Sequence, residues 1–114
     1  MTIAPEQQKD VCRRFGATFV ESPPNSKLGI ALQTLTYRPI HGLRHLPTSE
    51  TCGWYVWGGD VMGEDPDFFQ PVHVSHIAER CSLVVPYLGL GPGWRFLLAP
   101  DHEDVWFDGS IVHI

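Results

Sequence analysis

GWRFLLAPDHEDVWFD, residues Gly93 to Asp108, is the stretch on which the fold expectation rests. Two aromatic segments, Trp94 to Ala99 and Asp104 to Asp108, are separated by a few residues that include Pro100 and Asp101. Both residue types are common in turns. The pattern predicts a hairpin whose aromatic faces need something to cover them.

Working outward, Gly91-Pro92-Gly93 is a turn. Ser82 to Leu90 contains Pro86. It therefore reads as a kinked continuation of a preceding helix or as a separate short one. That preceding helix is expected to open at Pro71 and to run through His73, Ile77, Ala78 and Cys81. Thr51 to Gly58 reads as a strand, with Trp54 and Val56 on one side and Tyr55 and Trp57 on the other. Gly29 to Tyr37 alternates well enough from Leu32 to predict another strand, ended by Pro39. Arg38 to Glu50 mixes Pro, Gly, His and Arg and reads as an ordered loop. A first helix is expected from Pro5 to about Phe15, before Gly16. The order helix, two strands, helix, two strands predicts an α+β fold. The expected form is a small four-stranded, largely antiparallel sheet with two to three helices packed on one face, strand order open.

A chain of 114 residues is one domain, 1–114, because two would each be too small to bury a core. Its composition, 43% hydrophobic and 18% charged, is that of a globular protein. The net charge of −5 is uneven: residues 1–50 carry +2 and residues 51–114 carry −7. An acidic half repels phosphates, which argues against nucleic acid as a partner and suits a basic protein. Three cysteines, Cys12, Cys52 and Cys81, show no C-x-x-C spacing. A reducing compartment is expected over a disulfide framework or a zinc knuckle. Pro5, Glu6, Gln7 and Gln8 stand where a signal peptide needs an apolar run. No apolar stretch approaches the roughly 20 residues of a membrane span. A cytoplasmic protein without a membrane partner is the expectation.

Catalytic chemistry finds little support. No G-x-S-x-G is present, and GLGPG at 89–93 lacks the lysine of a phosphate loop. His73 and His76, spaced for one helix face, come near enough to share a metal, with Glu79 a turn further on. Spacing declares no third ligand, so neither a metal nor a cofactor is expected. His41 and His45 are separated by Gly42 and flanked by prolines, which argues against a helical metal pair. The acidic loop Asp60, Glu64, Asp65, Asp67 lacks calcium-loop spacing and is interrupted by Pro66. The second acidic cluster, Asp101, Glu103 and Asp104 around His102, sits at the expected hairpin tip, where a partner can reach it. Trp54 and Trp57 face opposite sides of one strand, so Trp57 is a candidate for an aromatic contact surface.

Three runs then take the reading further: GWYVWGGD at 53–60, DFFQPVHVSH at 67–76, and PYLGLGPGWRFLLA at 86–99 followed by EDVWFD at 103–108. Together they resemble the Imm33-like immunity domains of bacterial polymorphic-toxin systems, with a likeness spanning residues 45–109. The resemblance implies a small cytoplasmic α+β protein that binds and neutralises a cognate toxin, without enzymatic activity. It supplies no toxin-contacting residues. The residues themselves nominate Trp57, the loop Asp60, Glu64, Asp65, Asp67 and the tip Asp101, His102, Glu103, Asp104 as the partner surface. The alternatives are a small metal-dependent or hydrolytic enzyme built on His73 and His76, and a self-associating binding module.

Overall fold

The computed structural model describes residues 5–59 and 68–112. Six strands form one sheet: β1 (Lys27–Ile30), β2 (Ile40–Arg44), β3 (Thr51–Gly58), β4 (Gln70–His73), β5 (Trp94–Ala99) and β6 (His102–Phe107). Their order is β4-β1-β3-β2-β5-β6. β1 runs parallel to β3, and the other neighbours are antiparallel. The expected four-stranded, largely antiparallel sheet is thus corrected to a six-stranded mixed one with two α-helices, α1 (Pro5–Phe15) and α2 (Ile77–Cys81).

Each difference has a physical cause. The segment expected as a loop contains β2, a central strand between β3 and β5. Its residues are shaped by their neighbours and not by strand propensity. Gly42 lies opposite Phe96, and a Cβ there would fall 2.2 Å from that ring. Arg44 is buried to 1% exposure, which no reading of local pattern anticipates. The strand expected from Gly29 to Tyr37 is shorter and earlier. After β1 the chain turns through a 3₁₀ segment, Leu32–Thr34. Thr34 Oγ1 donates to the Ala31 carbonyl at 2.7 Å and accepts from Gly58 N–H at 2.8 Å, tying that turn to the end of β3. The expected helix from Pro71 begins instead as β4, an edge strand, where a residue lacking an N–H is tolerated. A 3₁₀ turn, Val74–His76, then leads into α2, and a further one, Ser82–Tyr87, carries Pro86.

The helical side of the sheet holds the main core. Leu28, Ile30, Ile40, Trp54, Val56, Phe96 and Leu98 pack against Val11 and Cys12 of α1, and against Val74, Ile77, Val84, Val85, Leu88 and Leu90. The other face carries a smaller cluster of Ala31, Leu43, Trp57 and Ile111, with Tyr55, Phe68 and Phe69 against it. Both strand-β3 tryptophans are therefore buried, one on each face.

Residues 85–90 leave the 3₁₀ segment for a turn and are mostly buried, and local backbone bonds reach the Val85 and Tyr87 carbonyls but not those of Leu88 and Leu90, so further donors come from elsewhere. Gln8 Nε2 donates to the Val85 carbonyl at 3.1 Å. Ser22 Oγ and Trp54 Nε1 both donate to Leu88, at 2.6 and 3.2 Å. The Cys12 thiol reaches the Gly89 carbonyl at 3.4 Å. Arg44 completes the set: Nη1 donates to Leu90 at 2.7 Å and Val20 at 2.9 Å, Nη2 to Glu21 at 3.1 Å, and Nε to Cys52 at 2.9 Å. Its guanidinium also lies 5.7 Å from the Trp54 ring. Burial lowers its pKa, yet the carbonyl dipoles around it supply what water would have given.

Replacing Arg44 with methionine keeps much of the stem and removes all these bonds. It should lower the unfolding free energy by about 3–5 kcal/mol, because several buried carbonyls lose a charged donor together. Urea unfolding followed by tryptophan fluorescence measures this. A second expectation concerns alkali. Burial raises the Cys12 thiol above its ordinary value of 9.0, so its stabilising contribution is complete below that pH. The contribution is then lost as the pH climbs through the higher folded-state value. Stability should fall above pH 9.0, and Cys12→Ala should make that alkaline decline shallower when unfolding is repeated across the pH range.

Candidate binding surface

The β5–β6 hairpin expected from the sequence is present. Its turn is Pro100-Asp101, with Asp101 at φ 63°, a left-handed conformation that Asp accepts more readily than most residues. Six register pairs run from Ala99 opposite His102 to Trp94 opposite Phe107. Alternation along β6 then splits the acidic cluster between the two faces of the sheet.

Glu103 points to the helical face. There Arg14 of α1 pairs with it and the Tyr87 hydroxyl donates to it. Burial, followed by the hydrogen bond and the charge of Glu103, pushes the Tyr87 phenol well above its usual range. Glu103 is thus engaged within the chain. Asp104 points to the opposite face, across from Leu97, with His102 Nε2 3.9 Å away and both side chains more than half exposed. Among the described residues, no Lys or Arg pairs with Asp101 or Asp104. Further along, Asp108 accepts from Ser110 N–H at 3.1 Å and from its hydroxyl at 2.6 Å, with Arg95 at 3.3 Å. These donors, Ser110 first, hold its carboxyl below the usual range. Arg95 in turn lies 5.4 Å from the Trp106 ring. Phe107 remains 56% exposed at the end of the strand, edge-on to Trp94.

The other nominated residues fare differently. Asp60, Glu64, Asp65 and Asp67 lie outside the described residues. Trp57 is 5% exposed, stacked on His41 at 4.9 Å and edge-on to Phe69 at 6.1 Å. It supports the second face and offers a partner no exposed ring. His73 and His76 do approach, with ring centroids 6.0 Å apart, but from the end of β4 and a 3₁₀ turn and not from one helix. No third ligand joins them: among the described residues no group of three His, Cys, Asp or Glu side chains is placed to hold a metal ion.

A feature missed in the sequence is the aromatic and histidine face opposite the helices. His41 and His45 both belong to it, the latter with Nδ1 2.9 Å from the Ile111 carbonyl and edge-on to Tyr55. Reading β2 as a loop concealed it. Strict alternation from Trp57 and Tyr55 into a paired β2 is the signal that would have revealed it. A cleft of about 730 Å³ opens beside this face, where the β1–β3 register shifts between Lys27 and Gly29. Its lining includes Lys27, Glu50 and Tyr55, with several hydroxyl side chains and no His, Cys or Asp. Among the described residues no helix is long and apolar enough to cross a membrane.

Comparison with known proteins gives one result. Neither the curated proteins nor the solved structures hold a match to this chain. The model of the Imm33-like domain matches residues 7–108, which takes in the sheet, both helices and the acidic hairpin. With nearly the whole chain covered, this protein belongs to the Imm33-like domain family.

Proposed function

We propose that this protein is an immunity protein that binds a cognate toxin and neutralises it by occlusion, without catalysis of its own. The observation that carries the reading is the β5–β6 hairpin tip. There Asp101 and Asp104 present carboxylates without a Lys or Arg partner among the described residues, on a rigid two-stranded base. Charges left uncompensated at an exposed tip raise the local concentration of a basic partner and orient its approach. The loop bearing Asp60, Glu64, Asp65 and Asp67 extends the same negative charge in the acidic half of the sequence. Membership of the Imm33-like family supports an immunity role in general terms. The toxin's basic character and the cytoplasm as the place of action are parts of the proposal.

The test is co-expression. Toxin-like reading frames neighbouring the gene are induced with and without this protein, and survival is scored. Rescue is expected, and the double variant Asp101→Asn with Asp104→Lys, which keeps a side chain that tolerates the left-handed turn, should abolish it. Both side chains are exposed, so the variant should unfold at a urea midpoint close to that of the parent. Persistent killing beside well-folded parent protein, with every neighbouring toxin, contradicts the immunity reading. A second expectation follows for the toxin so identified: its association rate should fall at least about tenfold from low to high salt. Stopped-flow fluorescence at several ionic strengths measures it, and a salt-independent rate would remove the acidic surface from the account.

A further inference from the structure

The sheet has two edges, and they are built differently. β4 is four residues long and contains Pro71, which has no N–H to offer a neighbouring strand. The opposite edge, β6, is six residues of regular strand, with no proline and with β5 as its single neighbour. Every second residue of such a strand turns both backbone groups away from the sheet. The phase is set by the bond from Asp108 N–H to the Gly93 carbonyl at 2.7 Å, which makes that pair a hydrogen-bonded one. By alternation the pairs Trp94–Phe107, Phe96–Val105 and Leu98–Glu103 are the wide ones. Glu103, Val105 and Phe107 therefore present their N–H and C=O groups outward along an edge that no other strand among the described residues covers.

The side chains specify what fits this edge. From Asp101 to Asp108 the strand and its ends carry four carboxylates and neither Lys nor Arg. A second copy of the same strand would bring like charges together, which opposes edge-to-edge pairing with itself. On the face away from the helices, Asp104 and the half-buried Trp106 lie two residues apart, a carboxylate beside a ring that already accepts Arg95. On the helical face, Val105 and the exposed Phe107 leave apolar surface at the margin of the core. An added strand alternating between basic and apolar side chains would meet Asp104 and Trp106 with one set and Val105 and Phe107 with the other.

We infer that β6 is a docking edge that accepts an extended, basic segment of a partner protein as a seventh strand. This rests on the immunity reading and adds the manner of binding: backbone pairing supplies register, and Asp104 and Trp106 select positive charge. Tip charges alone would steer a partner without requiring any backbone geometry from it.

The probe is a synthetic octapeptide alternating arginine and valine. Two companions go with it: one has glutamate for arginine, and the other is N-methylated at alternate residues so that it cannot pair. Binding to the full-length protein is followed by amide exchange in NMR. The alternating peptide should bind saturably and slow exchange of the Val105 and Phe107 amides at least tenfold. Both companions should bind at least tenfold more weakly. Val105→Pro removes the central outward donor and should weaken binding to the same extent. Should that variant fold poorly, the N-methylated peptide makes the same distinction in the parent protein. Equal binding of the N-methylated peptide, protection elsewhere, or no binding at all overturns the inference. So does a dimer that Val105→Pro dissolves in sedimentation, since the occupant would then be a second copy. Failed rescue in cells alongside positive peptide binding would remove the immunity reading and leave the edge. Intact rescue by a well-folded Val105→Pro variant would do the reverse.

Discussion

A buried stretch of backbone that runs out of a 3₁₀ segment into a turn must find donors for its carbonyls, and in this protein that requirement organises the molecule. Residues 85–90 cross the helical face of the sheet, and Pro86 together with Gly89 and Gly91 keeps them out of a continuous helix. An unsatisfied buried carbonyl costs about 1–3 kcal/mol, so several left unpaired would consume most of a typical stability of about 5–15 kcal/mol. Gln8 and Cys12 from α1, Ser22 from the following loop, Trp54 from β3 and Arg44 from β2 all converge on this stretch. Because the donors come from distant parts of the chain, the same bonds bind α1 and the 20–22 segment to the sheet. Directly after the stretch, Gly93 N–H donates to the Arg44 carbonyl and its own carbonyl accepts from Asp108. The base of the β5–β6 hairpin is held at that point, and the acidic tip inherits its position from it.

Local pattern revealed the elements that owe little to distant neighbours. The aromatic alternation of β3, the turn residues Pro100 and Asp101, and the proline start of α1 all behave as their sequences predict. The strands that went unread are those whose residues answer to tertiary contacts. Ile40-His-Gly-Leu-Arg44 looks irregular because Gly42 yields to Phe96, His41 stacks on Trp57, and Arg44 serves carbonyls from three other segments. Pro71 starts helices and also occupies sheet edges, and only the pairing with Gly29 shows which applies. Missing β2 and β4 left four strands, and with them the wrong sheet. The acidic tip was visible because charge at a turn needs no tertiary context. Its division was not, since Glu103 is committed to Arg14, some ninety positions away in sequence, while Asp104 has no Lys or Arg beside it among the described residues.

The functional reading follows from how this sheet treats its exposed parts. One face is covered by helices and the other by its own aromatics and histidines, among which Trp57 is buried. One edge is closed by a proline, while the other, unpaired among the described residues, is regular and acidic. On the proposed reading, the carboxylates that oppose pairing with a second copy are the same ones that favour a basic partner. Avoiding self-pairing and selecting such a partner would then place the same demand on the strand. Membership of the Imm33-like family accords with a protein whose chemistry lies in its surface.

Native-state hydrogen exchange tests most directly the claim that the irregular stretch is part of the core and fixes the hairpin. Val20 N–H donates to Gly89 and Gly93 N–H to Arg44, each at 2.8 Å, and neither residue lies in a helix or strand. Both amides should be as protected as those of Trp54 and Val56 in β3, to within about tenfold, exchanging only when the whole domain opens. Exchange at the rates of an ordinary surface loop would show that the stretch opens on its own, and would contradict the account.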